Sequence, residues 1–173
     1  MGCPKEGVRL PDGRKMIEHV IAPLSQLCSK IVIVGDCRGF SIPQQSNFIA
    51  LPDHPNGKGP LAAIATLLKS GIDAVGYIVT ACDQPFVTLD ILRLLVGEKS
   101  NRPTIFQSDN NAFPMPLPGY YPVGWLSTIE RELASSQYGL CNAILKSDVV
   151  YVSLPNAGKQ YLQNINTPAD LCF

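Results

Sequence analysis

The sequence predicts an α/β sandwich in which a mostly parallel β-sheet is covered by helices on both faces, giving three layers. Short apolar runs alternate with stretches whose apolar residues recur at helical spacing. The run at residues 31–34, IVIV, is β-branched and uninterrupted, as in strands buried on both faces. The 173 residues, of which 46% are hydrophobic and 16% charged, are enough to bury one core. We therefore expect residues 1–173 to form a single domain.

The first half of the chain alternates helices with strands. Proline is favoured at the first position of a helix, and glycine commonly follows the last turn. The elements predicted on this basis are a helix that starts at residues 12–15 with Asp12 as its cap and has an apolar stripe over residues 16–28, strands at 31–34 and 48–51, a helix from Pro60 to Gly71, and a strand at 75–81.

The second half has the same alternation, interrupted by a segment rich in Asn, Pro and Gly. The predicted elements are a helix capped by Thr88, a strand at 103–107, a loop or irregular strand at 110–121, helices at 124–134 and 139–146, a strand at 149–154, and a final short helix capped by Thr167 with Asp170 closing a capping box.

Charge and composition exclude several functions. Lys plus Arg and Asp plus Glu number 14 each, so no basic excess exists for broad nucleic-acid binding, and anion recognition must be local. No apolar run is long enough to span a membrane, and no signal-peptide core is present. Six scattered cysteines indicate reduced thiols in a cytoplasmic protein. With only two histidines, a His-rich metal site is excluded.

Three carboxylates follow predicted strands, at the sheet edge where ligands of parallel sheets collect. They are Asp36, Asp53 and Asp83. Asp83 is the strongest candidate because a carboxylate directly after a buried strand suits Mg²⁺, although an Asp there also forms turns without any metal. Residues 53–61 form a Gly-rich loop entering a helix, which is either an anion site or an ordinary connection.

Three segments resemble motifs of one family. Residues 59–64, GPLAAI, resemble its helix start "GPLAG", residues 80–86, TACDQPF, resemble its metal motif, and residues 163–171, QNINTPADL, resemble its closing motif. The chain thus resembles the molybdenum cofactor guanylyltransferases, the molybdopterin-guanine dinucleotide biosynthesis protein A family, over nearly its whole length. The resemblance implies a nucleotidyltransferase (glycosyltransferase-A-like) Rossmann-type fold lacking its first strand.

The resemblance also implies roles for single residues. Lys5 would bind the nucleotide phosphates and Asp83 would hold Mg²⁺, and these two would be the catalytic residues. The remaining implied site residues would contact the nucleotide, the metal or the acceptor; they are Asp53, Gly59, Pro60, Leu61, Asn164 and Asn166. The implied reaction transfers GMP from GTP to a terminal phosphate of molybdopterin and releases pyrophosphate, without a covalent protein nucleophile.

The amino-terminal residues depart from the family pattern. Residues 1–5, MGCPK, match only the last five positions of a loop that reads roughly L-x-G-G-x-S-x-R-M-G-x-x-K. We expect either that translation starts upstream of Met1 or that this is a shortened member. In either case we expect residues 1–173 alone to show weak transferase activity or none. A histidine usual in the family near residues 113–117 is absent, which leaves the acceptor contacts open.

Alternative functions follow from the same residues. Within the enzyme class, the alternatives are a CMP transferase and a sugar-phosphate nucleotidyltransferase. The sequence does not decide between GTP and CTP as the substrate. In a second class, it is a catalytically inactive domain that binds nucleotide or other proteins of the cofactor pathway.

Overall fold

The protein was analysed as a computed structural model, which describes residues 4–53, 58–73, 75–96, 101–108, 114–154, 156–167 and 170. Within these ranges, five α-helices and six strands alternate along most of the chain. The helices are α1 (Met16–Leu27), α2 (Pro60–Lys69), α3 (Leu89–Leu94), α4 (Leu126–Ala134) and α5 (Leu140–Leu145). The strands are β1 (Ile31–Val34), β2 (Phe48–Leu51), β3 (Gly76–Val79), β4 (Thr104–Ser108), β5 (Pro114–Pro122) and β6 (Val150–Leu154).

Helix α1 starts later than predicted. Lys15 is its N-cap, and the Lys15 N–H donates to the Glu18 carboxylate over 2.6 Å. Asp12 is therefore not the cap. Its carboxylate instead accepts hydrogen bonds from the backbone N–H and the Nε of Arg14. The predicted cap was wrong because an aspartate before a helix can accept hydrogen bonds from a nearby turn residue, here Arg14, instead of from the first turn of the helix.

The strands form two groups in the described part of the chain. One is the parallel pair β1–β2, and the other has the order β3–β5–β4–β6. Strand β6 is parallel to β4, whereas β5 is antiparallel to both β3 and β4. The nine-residue β5 replaces the loop or irregular strand expected at 110–121, of which residues 110–113 lie outside the described residues. Proline and glycine within β5 hid its strand character from sequence reading.

Two large apolar clusters make up most of the core. The first packs α2, α4 and α5 against the sheet and contains the stacked rings of Tyr121 and Trp125, whose centroids lie 5.2 Å apart. The second packs α3 against the sheet; its buried members are Val87, Ile91, Leu92, Leu95, Phe106, Leu154 and Leu162. Tyr121 belongs to the first cluster and its neighbour in β5, Tyr120, packs against the second, so the clusters lie on opposite faces of the four-stranded sheet.

Most predicted elements are present, with ends moved by a few residues. The strand predicted at 75–81 spans only Gly76–Val79, and the helix predicted at 124–134 begins with a 3₁₀ turn at Val123–Trp125. A longer 3₁₀ segment, Asn156–Leu162, was not predicted. The final short helix falls largely outside the described residues. No helix among the described residues has the length and apolarity needed to cross a membrane.

Two leucines of α3 give a matched test of the core. Leu92 is fully buried, whereas Leu94, two residues along the same helix, is 44% exposed. We expect Leu92→Ala to lower the free energy of unfolding by about 2–5 kcal/mol, because it leaves a cavity in the second cluster. Leu94→Ala should cost less than about 1 kcal/mol. Urea denaturation measures both, and equal losses would contradict the packing described here.

Candidate functional site

The turn after β3 places Asp83 at the end of a strand. The Gln84 N–H donates to the Ala81 carbonyl, which closes the turn. The buried Gln84 side chain donates to the Leu117 carbonyl over 2.9 Å, so β5 also holds the turn. Asp83 itself is only 18% exposed. The sheet therefore presents this carboxylate in a fixed, partly buried position.

Lys5, near the start of the chain, joins Asp83 to Asn166, which lies near its end. The Lys5 Nζ donates to the Asp83 Oδ2 over 3.2 Å and to the Asn166 Oδ1 over 2.6 Å. The other carboxylate oxygen, Asp83 Oδ1, is buried and has no hydrogen-bond partner among the described residues. A cation, a carboxylate and an amide oxygen thus meet at one point, with one buried carboxylate oxygen still to be satisfied.

The amino-terminal turn is held against the loop that follows β1. The 3₁₀ turn Lys5–Gly7 lies so close to this loop that a Cβ on Gly39 would come within 2.8 Å of the Gly7 backbone. The Gly39 N–H donates to the Glu6 carboxylate, and the Lys15 Nζ donates to the Gly39 carbonyl. This contact between two backbones holds the turn from which the Lys5 side chain extends.

The carboxyl-terminal segment is anchored through Ile165. Its side chain is fully buried beside Leu10 and Met16, and its N–H donates to the Asp83 carbonyl over 2.8 Å. Its two neighbours in sequence, Asn164 and Asn166, are exposed. Of this pair, Asn166 contacts Lys5, whereas no hydrogen bond of Asn164 is found within the described ranges.

The start of α2 forms the second part of the site. Gly59 has φ +76°, a left-handed conformation that glycine adopts without strain, and Pro60 occupies the first turn of the helix. Leu61 is fully buried, so only its backbone can face a ligand. Asp53 lies after β2, but residues 54–57 of the predicted loop fall outside the described residues. The Lys58 Nζ lies 4.4 Å from the centre of the Tyr138 ring.

One cleft opens beside both parts of the site. It has a volume of about 370 Å³, and its lining includes Glu6, Cys82 and Pro60, which are the immediate neighbours of Lys5, Asp83 and Gly59. Asp36, the third predicted carboxylate, also lines this cleft but is exposed and paired with Arg38. The cleft thus lies next to Lys5, Asp83 and Gly59, although none of these three is among the residues that line it.

Cys82 lies in this cleft without being a suitable nucleophile. Burial, together with the negative charge of Asp83, raises the pKa of the Cys82 thiol to about 11. A thiol with that pKa stays protonated near neutral pH, and the thiolate is the reactive form. The site therefore has no activated cysteine at Cys82, in agreement with a reaction that needs no covalent intermediate.

Sequence reading missed several residues that position the site. Glu6, Gly39 and Gln84 hold Lys5 and Asp83 through contacts between segments distant in sequence. Only Gln84 carried a signal, because it lies inside the segment that resembles a metal motif. Glu6 and Gly39 have no local pattern, since their roles depend on the packing of the amino-terminal turn against the β1 loop.

The donor set suits a hard divalent cation. Mg²⁺ is usually bound by one or two carboxylates with substrate phosphates and water completing its shell. Asp83 supplies one carboxylate with a buried unpartnered oxygen, and Asn166 supplies an amide oxygen held near it by Lys5. No cluster of three or more His, Cys, Asp or Glu side chains occurs in the ranges that the structure describes. The residues fit a Mg²⁺ ion that enters together with phosphates.

The chain matches one protein family. The profile of the family described as the MobA-like NTP transferase domain matches residues 1–151. A Rhodopirellula baltica protein named "Probable molybdenum cofactor guanylyltransferase" is 28% identical over 99% of this chain and 83% of its own length. A Deinococcus radiodurans protein of the same name is 26% identical over 96% of this chain and 83% of its own length.

Solved structures give the same fold. Molybdopterin-guanine dinucleotide biosynthesis protein A from Archaeoglobus fulgidus superposes with a TM-score of 0.75 at 26% identity, covering 98% of this chain and 88% of that chain. The 2-C-methyl-D-erythritol 4-phosphate cytidylyltransferase of Thermus thermophilus superposes with a TM-score of 0.71 at 15% identity, covering 97% and 90%. The latter likeness concerns the fold alone. The predicted nucleotidyltransferase fold is thereby confirmed.

Protonation of the Asp170 carboxylate at low pH should break its hydrogen bonds to the backbone beside the candidate site. It accepts hydrogen bonds from the N–H groups of Asn166 and Thr167, and these bonds lower the pKa of Asp170. Because this folded-state pKa is depressed, the stabilisation is complete above the unfolded value, about 3.9, and is lost as the pH falls through the folded pKa.

NMR titration of the Asn166 and Thr167 amides measures this effect. We expect their amide shifts to titrate together with a midpoint below about 3.9 and expect Asp170→Asn to abolish the transition. Asp148→Asn serves as the control, since Asp148 pairs with Arg102 on a distant surface. A midpoint at or above the unfolded value would contradict the two hydrogen bonds.

The close approach of Gly7 and Gly39 gives a second test. Gly39→Ala should push the Lys5 turn away from Asp83 and lower the free energy of unfolding by about 1–3 kcal/mol, because backbone atoms cannot give way cheaply. Gly124→Ala is the matched control, since its Cβ would meet only the Asn101 Oδ1 at 3.6 Å. Urea denaturation and the Lys5 amide shift report the two effects, and an unchanged Lys5 environment in Gly39→Ala would refute the positioning role.

Proposed function

The chain belongs to the MobA-like NTP transferase domain family, and on that premise we propose that it transfers GMP from GTP to molybdopterin or the molybdenum cofactor and releases pyrophosphate. The observation that carries the proposal is the pair of hydrogen bonds by which Lys5 joins Asp83 and Asn166. This geometry is joined to relatives whose names specify molybdenum cofactor guanylyltransferase.

In this reaction a phosphate oxygen of the acceptor forms a bond to the α-phosphorus of GTP. The bond between the α-phosphorus and its bridging oxygen breaks, and pyrophosphate leaves with that oxygen. Transfers of this kind depend mainly on positioning and on neutralising charge. A bound Mg²⁺ would neutralise charge on the phosphate oxygens, and Asp83 and Asn166 are the residues that would hold it.

Lys5 contributes a second positive charge at the same point. Its ammonium has three donors, of which Asp83 and Asn166 engage two. Lys5 therefore orients both oxygen ligands and has a donor left for a phosphate oxygen. Because its side chain is 39% exposed, the ion pair with Asp83 adds about 0–1 kcal/mol to stability, and its main effect is on geometry.

The start of α2 suits the anionic nucleotide. The dipole of a helix favours negative charge at its amino end. Pro60 has no N–H and the Ala62 and Ala63 N–H groups donate to the Gly59 carbonyl, so the Leu61 N–H is the group of this turn that can face a ligand. Gly59 leaves the approach open, and Lys58 adds a cation beside it. We assign Gly59, Pro60 and the Leu61 backbone to nucleotide binding together with Asp53, and we assign Asn164 to the acceptor side.

We expect Asp83→Ala to abolish the Mg²⁺ dependence of GTP binding. Calorimetric titration of GTP should show affinity at least about tenfold weaker than the unmodified chain with Mg²⁺ and nearly equal affinity without it, because the lost carboxylate acts through the metal. Asp90→Ala is the control, since Asp90 lies exposed on α3 and pairs only with Arg93 among the described residues. An Asp83→Ala variant that keeps full Mg²⁺-dependent affinity would exclude Asp83 as the ligand.

The same preparation separates the competing functions. Pyrophosphate release with a molybdopterin acceptor and GTP supports guanylyl transfer, whereas release with CTP alone indicates the cytidylyl alternative. GTP binding without any pyrophosphate release, even when strand and loop residues are supplied ahead of Pro4, would indicate an inactive nucleotide-binding domain and would overturn the proposal.

A further inference from the structure

An aromatic ring covers the lysine that precedes the start of α2. The Lys58 Nζ lies 4.4 Å from the centre of the Tyr138 ring, within the range at which the face of a ring attracts a cation. Lys58 is exposed and Tyr138 is half-buried. A free lysine side chain samples many rotamers, and this contact favours those that keep the ammonium over the ring. Tyr138 therefore restricts the position of the Lys58 charge.

The two residues meet because one core cluster anchors both of their segments. Leu61, three residues after Lys58, and Leu140, two residues after Tyr138, are buried members of the first apolar cluster. Lys58 directly precedes α2, and Tyr138 lies in the connection between α4 and α5. The packing of these helices in the core thus brings the lysine and the tyrosine within reach of each other.

The turn that carries Tyr138 contains a strained residue. Ser136 has φ +56°, a left-handed conformation that costs a residue with a side chain more than it costs glycine. The Ser136 N–H donates to the Leu133 carbonyl, which ties this turn to the end of α4. A serine in place of glycine here indicates that its hydroxyl has a use.

The partner of that hydroxyl is Tyr138. The hydrogen bond between the Ser136 and Tyr138 side chains, followed by the hydrogen bond and the positive charge of Lys58, lowers the pKa of Tyr138. The strained turn therefore holds the ring, and the ring in turn holds the lysine.

The held ammonium lies beside the part of the site that we assign to the nucleotide. Lys58 directly precedes Gly59, where an added Cβ would meet no atom of the described residues within 4 Å. The ammonium has three N–H donors, more than the single Tyr138 hydroxyl can accept. Anionic oxygens that approach the open side of Gly59 can therefore bind the same ammonium.

We propose that Tyr138 is a positioning residue for nucleotide binding, which holds the Lys58 ammonium where it binds a phosphate oxygen of the nucleotide. This role rests on the proposed function, since it requires a nucleotide at the start of α2. Its physical basis is preorganisation, because a long side chain that is already held loses less conformational entropy when the ligand binds.

Calorimetric titration with GTP and Mg²⁺ at low salt tests this role. We expect Tyr138→Leu to weaken binding about two- to tenfold, the cost of immobilising one long side chain only on binding. Tyr138→Phe should bind GTP more tightly than Tyr138→Leu does, because phenylalanine keeps the face of the ring. Tyr151→Leu is the matched control, since Tyr151 is 42% exposed on β6, and it should leave the affinity unchanged.

A double-mutant cycle separates positioning from a merely structural role. Lys58→Gln alone should weaken GTP binding, and adding Tyr138→Leu to it should cost little further affinity, because the ring then has no cation to hold. A Tyr138 that only stabilised the fold would have the same effect on affinity with or without Lys58. Full additivity of the two substitutions would therefore overturn the proposal.

The position of Lys58 can also be measured without any ligand. The NMR signals of the Lys58 ε-methylene group should carry a ring-current shift that Tyr138→Leu removes and Tyr138→Phe retains. Unchanged signals in the folded Tyr138→Leu variant would show that the ring does not hold the lysine.

Ser136→Gly separates ligand binding from stability. Glycine adopts the left-handed conformation without strain, so the urea midpoint should stay the same or rise. GTP binding should nevertheless weaken, because the Tyr138 ring loses the hydroxyl that holds it. If Tyr138→Leu does not fold, Ser136→Gly takes its place in the cycle with Lys58→Gln.

Failure of the positioning role is distinguishable from failure of the proposed function. GTP binding that Asp83→Ala weakens, but that neither Tyr138→Leu nor Lys58→Gln affects, would refute the positioning role alone. An unmodified chain that binds no GTP in the presence of Mg²⁺ would refute the proposed function and the positioning role with it.

Discussion

The hydrogen bond from the Ile165 N–H to the Asp83 carbonyl is the constraint on which the candidate site depends. It ties the carboxyl-terminal segment to the turn after β3, and the burial of the Ile165 side chain makes the attachment rigid. Asn166 follows Ile165 directly, and Lys5 bridges the Asn166 Oδ1 to the Asp83 carboxylate. Lys5 therefore contacts residues that lie 78 and 161 positions away in the sequence.

The site is built for geometry more than for stability. The Lys5–Asp83 pair is partly exposed, and such pairs add little to folding. What the arrangement supplies is a carboxylate oxygen beside a cation, buried and with no hydrogen-bond partner in the part of the chain that the structure describes, which is costly unless a ligand satisfies it. Since the chain has no net charge, anion recognition depends on this local grouping and on the start of α2.

The sequence by itself determined the local elements and the identity of the chemical groups. An uninterrupted β-branched run located β1 to the residue, a short apolar run located β2, and glycine followed by proline located the start of α2. Motif resemblance selected Lys5, Asp83 and Asn166, which the structure brings into contact, and it also selected Asn164, whose predicted role no contact tests. These features are readable because they depend on periodicity and on short spacings.

Tertiary structure alone decided the remaining features. Asp12 lost the helix cap to Lys15, and the proline-rich segment became β5 because neighbouring strands pair with it on both sides. No short sequence pattern predicts the Gly7–Gly39 contact, the hydrogen bond from Gln84 to Leu117 or the cleft between β1 and β3. Each depends on the approach of segments far apart in sequence, and a linear pattern carries no information on such distances.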